Sequence, residues 1–139
     1  MKNPEVEISV CNEKKDLRYN IKSRAPKDTE KEKKPDASLI PLDLLIDFLV
    51  PAYEEGVIKY YRDSWREGFT TTHMTGALLR HLKDYIDGED FDQETFNKFK
   101  IKKHHLGAML FCVLCMCDTY KNHPDLDDRR KKENTNESI

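Results

Sequence analysis

The chain has 139 residues, enough for one domain with a core and not for two. Its formal charge is −2 with 36% charged residues, a balance that offers no global attraction to duplex nucleic acid or to an anionic membrane. No segment reads as a signal peptide, and the longest apolar run, residues 106–117, is far shorter than the ~20 residues that span a bilayer, so a cytoplasmic protein with no membrane partner is predicted.

Residues 1–36 hold one short alternating run, Val6, Ile8 and Val10, and then a charged stretch without a sustained apolar face. They read as a flexible arm. A helical domain is expected over 37–128 and a disordered tail over 129–139, with the segment after Pro124 fraying.

Order should begin over residues 38–41, where Pro41 suits a first helical turn, with Leu42, Leu44, Leu45, Phe48 and Leu49 as a buried face. Pro51 should break or kink this helix, because proline removes a backbone donor in mid-pattern. A second helical piece then runs on to a stop near Gly68. On it Lys59, Arg62 and Arg66 recur at steps of three and four, which puts three cations in one row beside Tyr60, Tyr61 and Trp65. Guanidinium groups grip phosphate bidentately and aromatic rings stack on bases, so the row has the composition a phosphorylated nucleotide needs. The ordinary alternative is a solvated face, with Glu55 and Lys59 as an i,i+4 pair.

The clearest helix by pattern is 70–88. Thr70, Thr71 and Thr72 offer a cap, Met74, Ala77, Leu78, Leu82, Tyr85 and Ile86 form an apolar stripe, and Gly88 supplies a stop. Arg80 and His81 flank that stripe. Arg80 is either a ligand group or a partner of Asp84, and His81 either a ligand or a satisfied core histidine. The acidic loop that follows imitates a calcium loop through Asp90, Asp92 and Glu94, but Thr95 stands where glycine is needed and Ile101 where a bidentate carboxylate belongs. Its acids are expected to cap and turn.

Residues 102–124 are the most hydrophobic stretch and predict the central helix, with Leu106, Met109, Leu110, Val113, Leu114, Met116 and Cys117 buried and Pro124 as terminator. Lys102, Lys103, His104 and His105 crowd its N-terminal turn, where the helix dipole favours an anion. Cys112 and Cys115 share a face and Cys117 does not. With Cys11 they fit free thiols of a reducing compartment better than zinc ligands, since no second cysteine pair follows.

The order of residues 39–45, then Glu54, Gly56, Lys59, Tyr60 and Trp65, then 77–82, 88–95 and 104–108 resembles phage and prophage proteins of the dATP/dGTP diphosphohydrolase-like family, over residues 39–129. The resemblance implies a distant relation to all-α nucleoside triphosphate pyrophosphohydrolases of the MazG type, which hold magnesium between paired carboxylates on facing helices. Such a quartet is not legible here. A hydrolase would have to gather Glu54, Glu55, Asp84 and Asp87, with Asp43 or Asp47 as substitutes.

The expected fold is therefore all-α, a small bundle of three to four main helices. The expected function is binding of a phosphorylated nucleotide through Lys59, Arg62, Trp65, Arg66, Arg80, His81, Lys103, His104 and His105, with no cofactor and without hydrolysis; by analogy it would sequester a nucleotide signal of host defence. The alternatives are a magnesium-dependent dATP/dGTP diphosphohydrolase and a helical protein-interaction module. A homo-oligomer is expected in each case, since short helices this rich in apolar residues have little to bury against in one small domain.

Overall fold

Among the described residues, four main helices build the fold. The first, α1, comprises a turn of α-helix Leu42–Leu44, a π segment Leu45–Leu49 and α-helix Val50–Lys59, one running directly into the next. The others are α2 (Thr71–Ile86), α3 (Gln93–Phe99) and α4 (His105–Asn122). The computed structural model describes residues 34–132; the expected flexible arm and tail fall largely outside them. Among the described residues there is no strand, only one antiparallel bridge between Phe91 and His104, so the chain is all-α.

Pro51 neither breaks nor interrupts α1. A proline ring in a regular α-helix collides with the carbonyl four residues earlier and leaves an unmatched acceptor. The π segment relieves this by widening the helix just upstream, where the Val50 N–H reaches back five residues to the Leu45 carbonyl.

The expected continuation of this helix to Gly68 does not occur. It stops at Lys59: Tyr60 leaves helical geometry, Asp63 adopts a left-handed backbone (φ 62°), and Ser64–Glu67 forms a 3-10 turn ended by Gly68. Aspartate tolerates that conformation better than most residues. The turn carries Trp65 and Phe69 inward onto the cluster of Met74, Cys112 and Cys115, a gain of apolar burial that a straight helix would forgo. Consequently Lys59, Arg62 and Arg66 do not form one helical row.

In α2 the cap and the stop agree with the pattern. Thr70 accepts the His73 N–H at 3.3 Å, and Gly88 (φ 98°) closes the other end, with Gly88 N–H donating to the Tyr85 carbonyl and Glu89 N–H to that of Asp84. The segment after Pro124 is more ordered than its polarity suggested. Leu126 lies against Gly68, Asp128 accepts the Thr72 N–H at 2.9 Å, and Asp127 meets the Thr71 hydroxyl at 3.4 Å. Two carboxylates thus sit at the positive end of α2.

The central helix α4 buries a different face from the one its large aliphatics suggest. His105, Ala108, Cys112, Cys115 and Thr119 face inward with Gly107 and Asp118, while Leu110, Val113 and Leu114 are each about two-fifths exposed. Small residues win because α1 and α2 both pack closely on this helix. Gly107 lies directly against the Phe48 carbonyl of the π segment.

Candidate functional site

Because α1 and α2 both lean on α4, a groove of about 1000 Å³ opens between them, floored by Ala108, Phe111 and Cys112. Its middle is aromatic: the Tyr53 ring meets Trp65 at 5.5 Å and Phe111 at 5.1 Å, both edge to face. Burial, reinforced by Cys115, pushes the Tyr53 hydroxyl up to about 12, so it remains a donor. Lys59 and Arg62 stand at the mouth, and His81 and Lys103 at the inner end.

The inner end is held by a buried charge network. Glu55, on the groove side of α1, pairs with Lys59 at 2.5 Å and with Lys103, and accepts the Thr95 hydroxyl at 3.2 Å. Lys103 reaches on to Asp92 at 3.4 Å, and Asp92 caps α3 by accepting the Thr95 N–H at 3.2 Å. Burial works to raise the Glu55 carboxyl, but the Lys103 and Lys59 ammonium groups outweigh it and hold Glu55 below its ordinary value. Asp92 is likewise lowered: burial opposes ionisation, and the Thr95 N–H and Lys103 overcome it.

Beside this network His81 Nδ1 lies 2.9 Å from His105 Nδ1, and His105 Nε2 lies 2.9 Å from Glu89 Oε1. An ionised carboxylate only accepts, so His105 Nε2 carries a proton; in the neutral ring, Nδ1 then accepts from His81. Burial, then the charge of Lys103, holds His81 below the ordinary histidine value.

Of the predicted binding residues, Lys59, Arg62, Trp65, His81 and Lys103 line the groove, and His105 lies directly behind His81. Three lie or act elsewhere. Arg66 stacks on Trp65 with its guanidinium carbon 4.1 Å from the ring centroid and pairs with buried Asp118 at 3.3 Å. Arg80 is exposed and makes no ion pair among the described residues, with Asp84 or any other acid. His104 caps α4, its Nδ1 accepting the Leu106 N–H at 3.0 Å while its ring packs among Phe48, Tyr85 and Phe91. The His105 N–H donates to the Asp90 carbonyl. The first N–H groups of α4 are therefore satisfied within the chain, and the anion expected there has no open donors at His105 or Leu106.

The carboxylates needed for a magnesium quartet do not fit one ion. Glu54 is exposed, Glu55 is closed by its lysines and Asp87 pairs with Lys83 at 2.7 Å. Only Asp84 joins a ligand-spaced group, with Glu89 and His105. Asp92, which the sequence presented as a turn-former, and Glu89 in the same loop approach the histidines as well. Their signal was a loop acid cluster between two histidine-bearing segments, readable only once those segments are known to touch.

The family described as dATP/dGTP diphosphohydrolase, N-terminal matches residues 24–129. The chain belongs to that family. Neither the curated proteins nor the solved structures yielded a match. The diphosphohydrolase family match spans all four helices, and with them the whole groove and the histidine pair.

Proposed function

We propose that the groove between α1 and α2 binds a purine deoxynucleoside phosphate, the base against Tyr53 and Trp65 and the phosphates at Lys59 and Arg62. The observation that carries this reading is an aromatic cleft with a nearly free guanidinium at its mouth. Arg62 is exposed and its one ion-pair partner among the described residues, Asp63, is a loose 3.7 Å away, so its fork is free to clamp phosphate. Membership of the diphosphohydrolase family supports a dATP- or dGTP-like ligand.

Trp65 is the single tryptophan of the chain, which makes its fluorescence a direct reporter of the groove. Adding dATP or dGTP should quench it saturably, and Arg62→Ala should weaken binding roughly ten- to a hundredfold, the loss of ~1.5–3 kcal/mol expected for one charge-assisted contact. An unresponsive tryptophan, or an Arg62→Ala variant that binds as the parent does, would refute the placement.

Two fates of the ligand are distinguished by observation. Engagement of Glu55 and Asp87 in ion pairs favours holding the nucleotide intact, as in sequestration of a signal nucleotide; the family match favours hydrolysis. Incubation with dATP or dGTP, with and without divalent metal, separates them: unchanged nucleotide supports the first, and chelator-sensitive release of pyrophosphate the second.

A further inference from the structure

We infer that His81, His105 and Asp92 form a binding site for a divalent metal of the zinc class, with an open coordination position facing the groove. Three separate elements deliver the ligands: α2 carries His81, Asp92 precedes α3, and His105 opens α4. One ligand atom from each lies within 4.8 Å of the others. The two Nδ1 atoms stand 2.9 Å apart, about half an ångström inside the roughly 3.4 Å that tetrahedral bonds of about 2.1 Å set between two ligand nitrogens, so a small movement of the rings admits the ion.

The surroundings are those of a metal-ligating histidine. His105 is 1% exposed and its far nitrogen donates to Glu89 at 2.9 Å, the carboxylate–histidine arrangement that fixes the ring and directs the Nδ1 lone pair toward an ion. Asp92 is oriented by the Thr95 N–H. Lys103, whose charge bears on His81, pairs with Glu55 more closely than with Asp92. Without metal the His81 Nδ1 proton bridges the rings. Besides that small movement, entry of the ion needs the other neutral tautomer of His81, with that proton on Nε2.

Two imidazoles and one carboxylate select zinc-like ions over magnesium, and three protein ligands leave a position for water or a ligand oxygen. Because His81 lines the groove, that position opens into it. The site goes beyond the proposed nucleotide binding and is measured without nucleotide.

The test uses the full chain, stripped with chelator, then dialysed against Zn²⁺ and titrated with Co²⁺ as a visible-absorption probe. One metal per chain is expected, with intense cobalt bands that millimolar Mg²⁺ does not displace. His81→Ala and Asp92→Asn should each lower affinity at least ~100-fold with unchanged far-ultraviolet circular dichroism, and Glu89→Gln about 10- to 100-fold. Asp92→Asn retains a capping oxygen and so reads the site even where His81→Ala is poorly folded. Replacing all four cysteines by serine should leave binding intact. Absence of stoichiometric metal, binding indifferent to both His81→Ala and Asp92→Asn, or binding lost with the cysteines would overturn the site and leave the histidines a hydrogen-bonded pair.

Discussion

The backbone carbonyl of Phe48 occupies the space that a Cβ on residue 107 would need, so α1 and α4 touch backbone to side-chain-free backbone at Gly107. Nothing flexible can yield there. Gly107→Ala, ordinarily favourable inside a helix, should destabilise the fold by about 1–3 kcal/mol or more as the helices are forced apart. Urea denaturation checks this, and an alanine variant as stable as the parent would show that the helices are not this close.

Lys103 stabilises chiefly by matching Glu55, which is 5% exposed. Lys103→Met leaves that carboxylate buried with Lys59 as its remaining ammonium partner, and should cost roughly 3 kcal/mol, the low end for a broken buried pair. Adding Glu55→Leu should recover most of the loss. If the double variant is no better than the single one, the lysine acts through packing and not through charge.

The lowered Glu55 value gives the pH dependence a sign. The unfolded chain takes up the proton first, near 4.5, so the stability that Glu55 contributes is fully present above that pH and is lost as pH falls through the lower folded-state value. Melting temperature should therefore fall below about pH 4.5 more steeply in the parent than in Glu55→Gln. Parallel acid limbs in the two proteins would contradict the assignment.

Thiol reactivity should divide the cysteines of α4. Burial, then the neighbouring Cys112, pushes Cys115 up to about 12, and burial raises Cys112, whereas Cys117 is exposed. In a Cys11→Ser background, iodoacetamide should modify one cysteine in the native protein and three after denaturation, as counted by mass spectrometry. Native labelling of Cys112 or Cys115 at the rate of Cys117 would argue against the buried face described for α4.

Local signals carried the helices, and contacts between distant residues carried the rest. Thr70, Gly88 and the stripe of α2 act within a few residues, so pattern located that helix well. The end of α1 at Lys59 was hidden, because it is decided by where Trp65 must go to meet Met74 and Cys112. In α4 the large aliphatics pointed to the wrong face, since the close approach of Phe48 to Gly107 favours small residues. Among the binding candidates, His81, Lys103 and His105 converge with Glu55 and Asp92, a grouping that joins α1, α2, the residue before α3 and the start of α4 and leaves no trace in spacing along the chain.

The π segment has a consequence for the angular setting of everything after it. Each residue of a helix turns the chain by about 100°, so the one extra residue in Leu45–Leu49 sets the azimuth at which Tyr53 and Glu55 leave α1. Remove one residue there and ordinary α-helical bonding could be restored upstream, but both side chains would swing about a quarter turn away from the groove. Proline at 51 thus acts as a rotational key: by requiring the wider turn, it fixes the direction in which the wall of the groove faces.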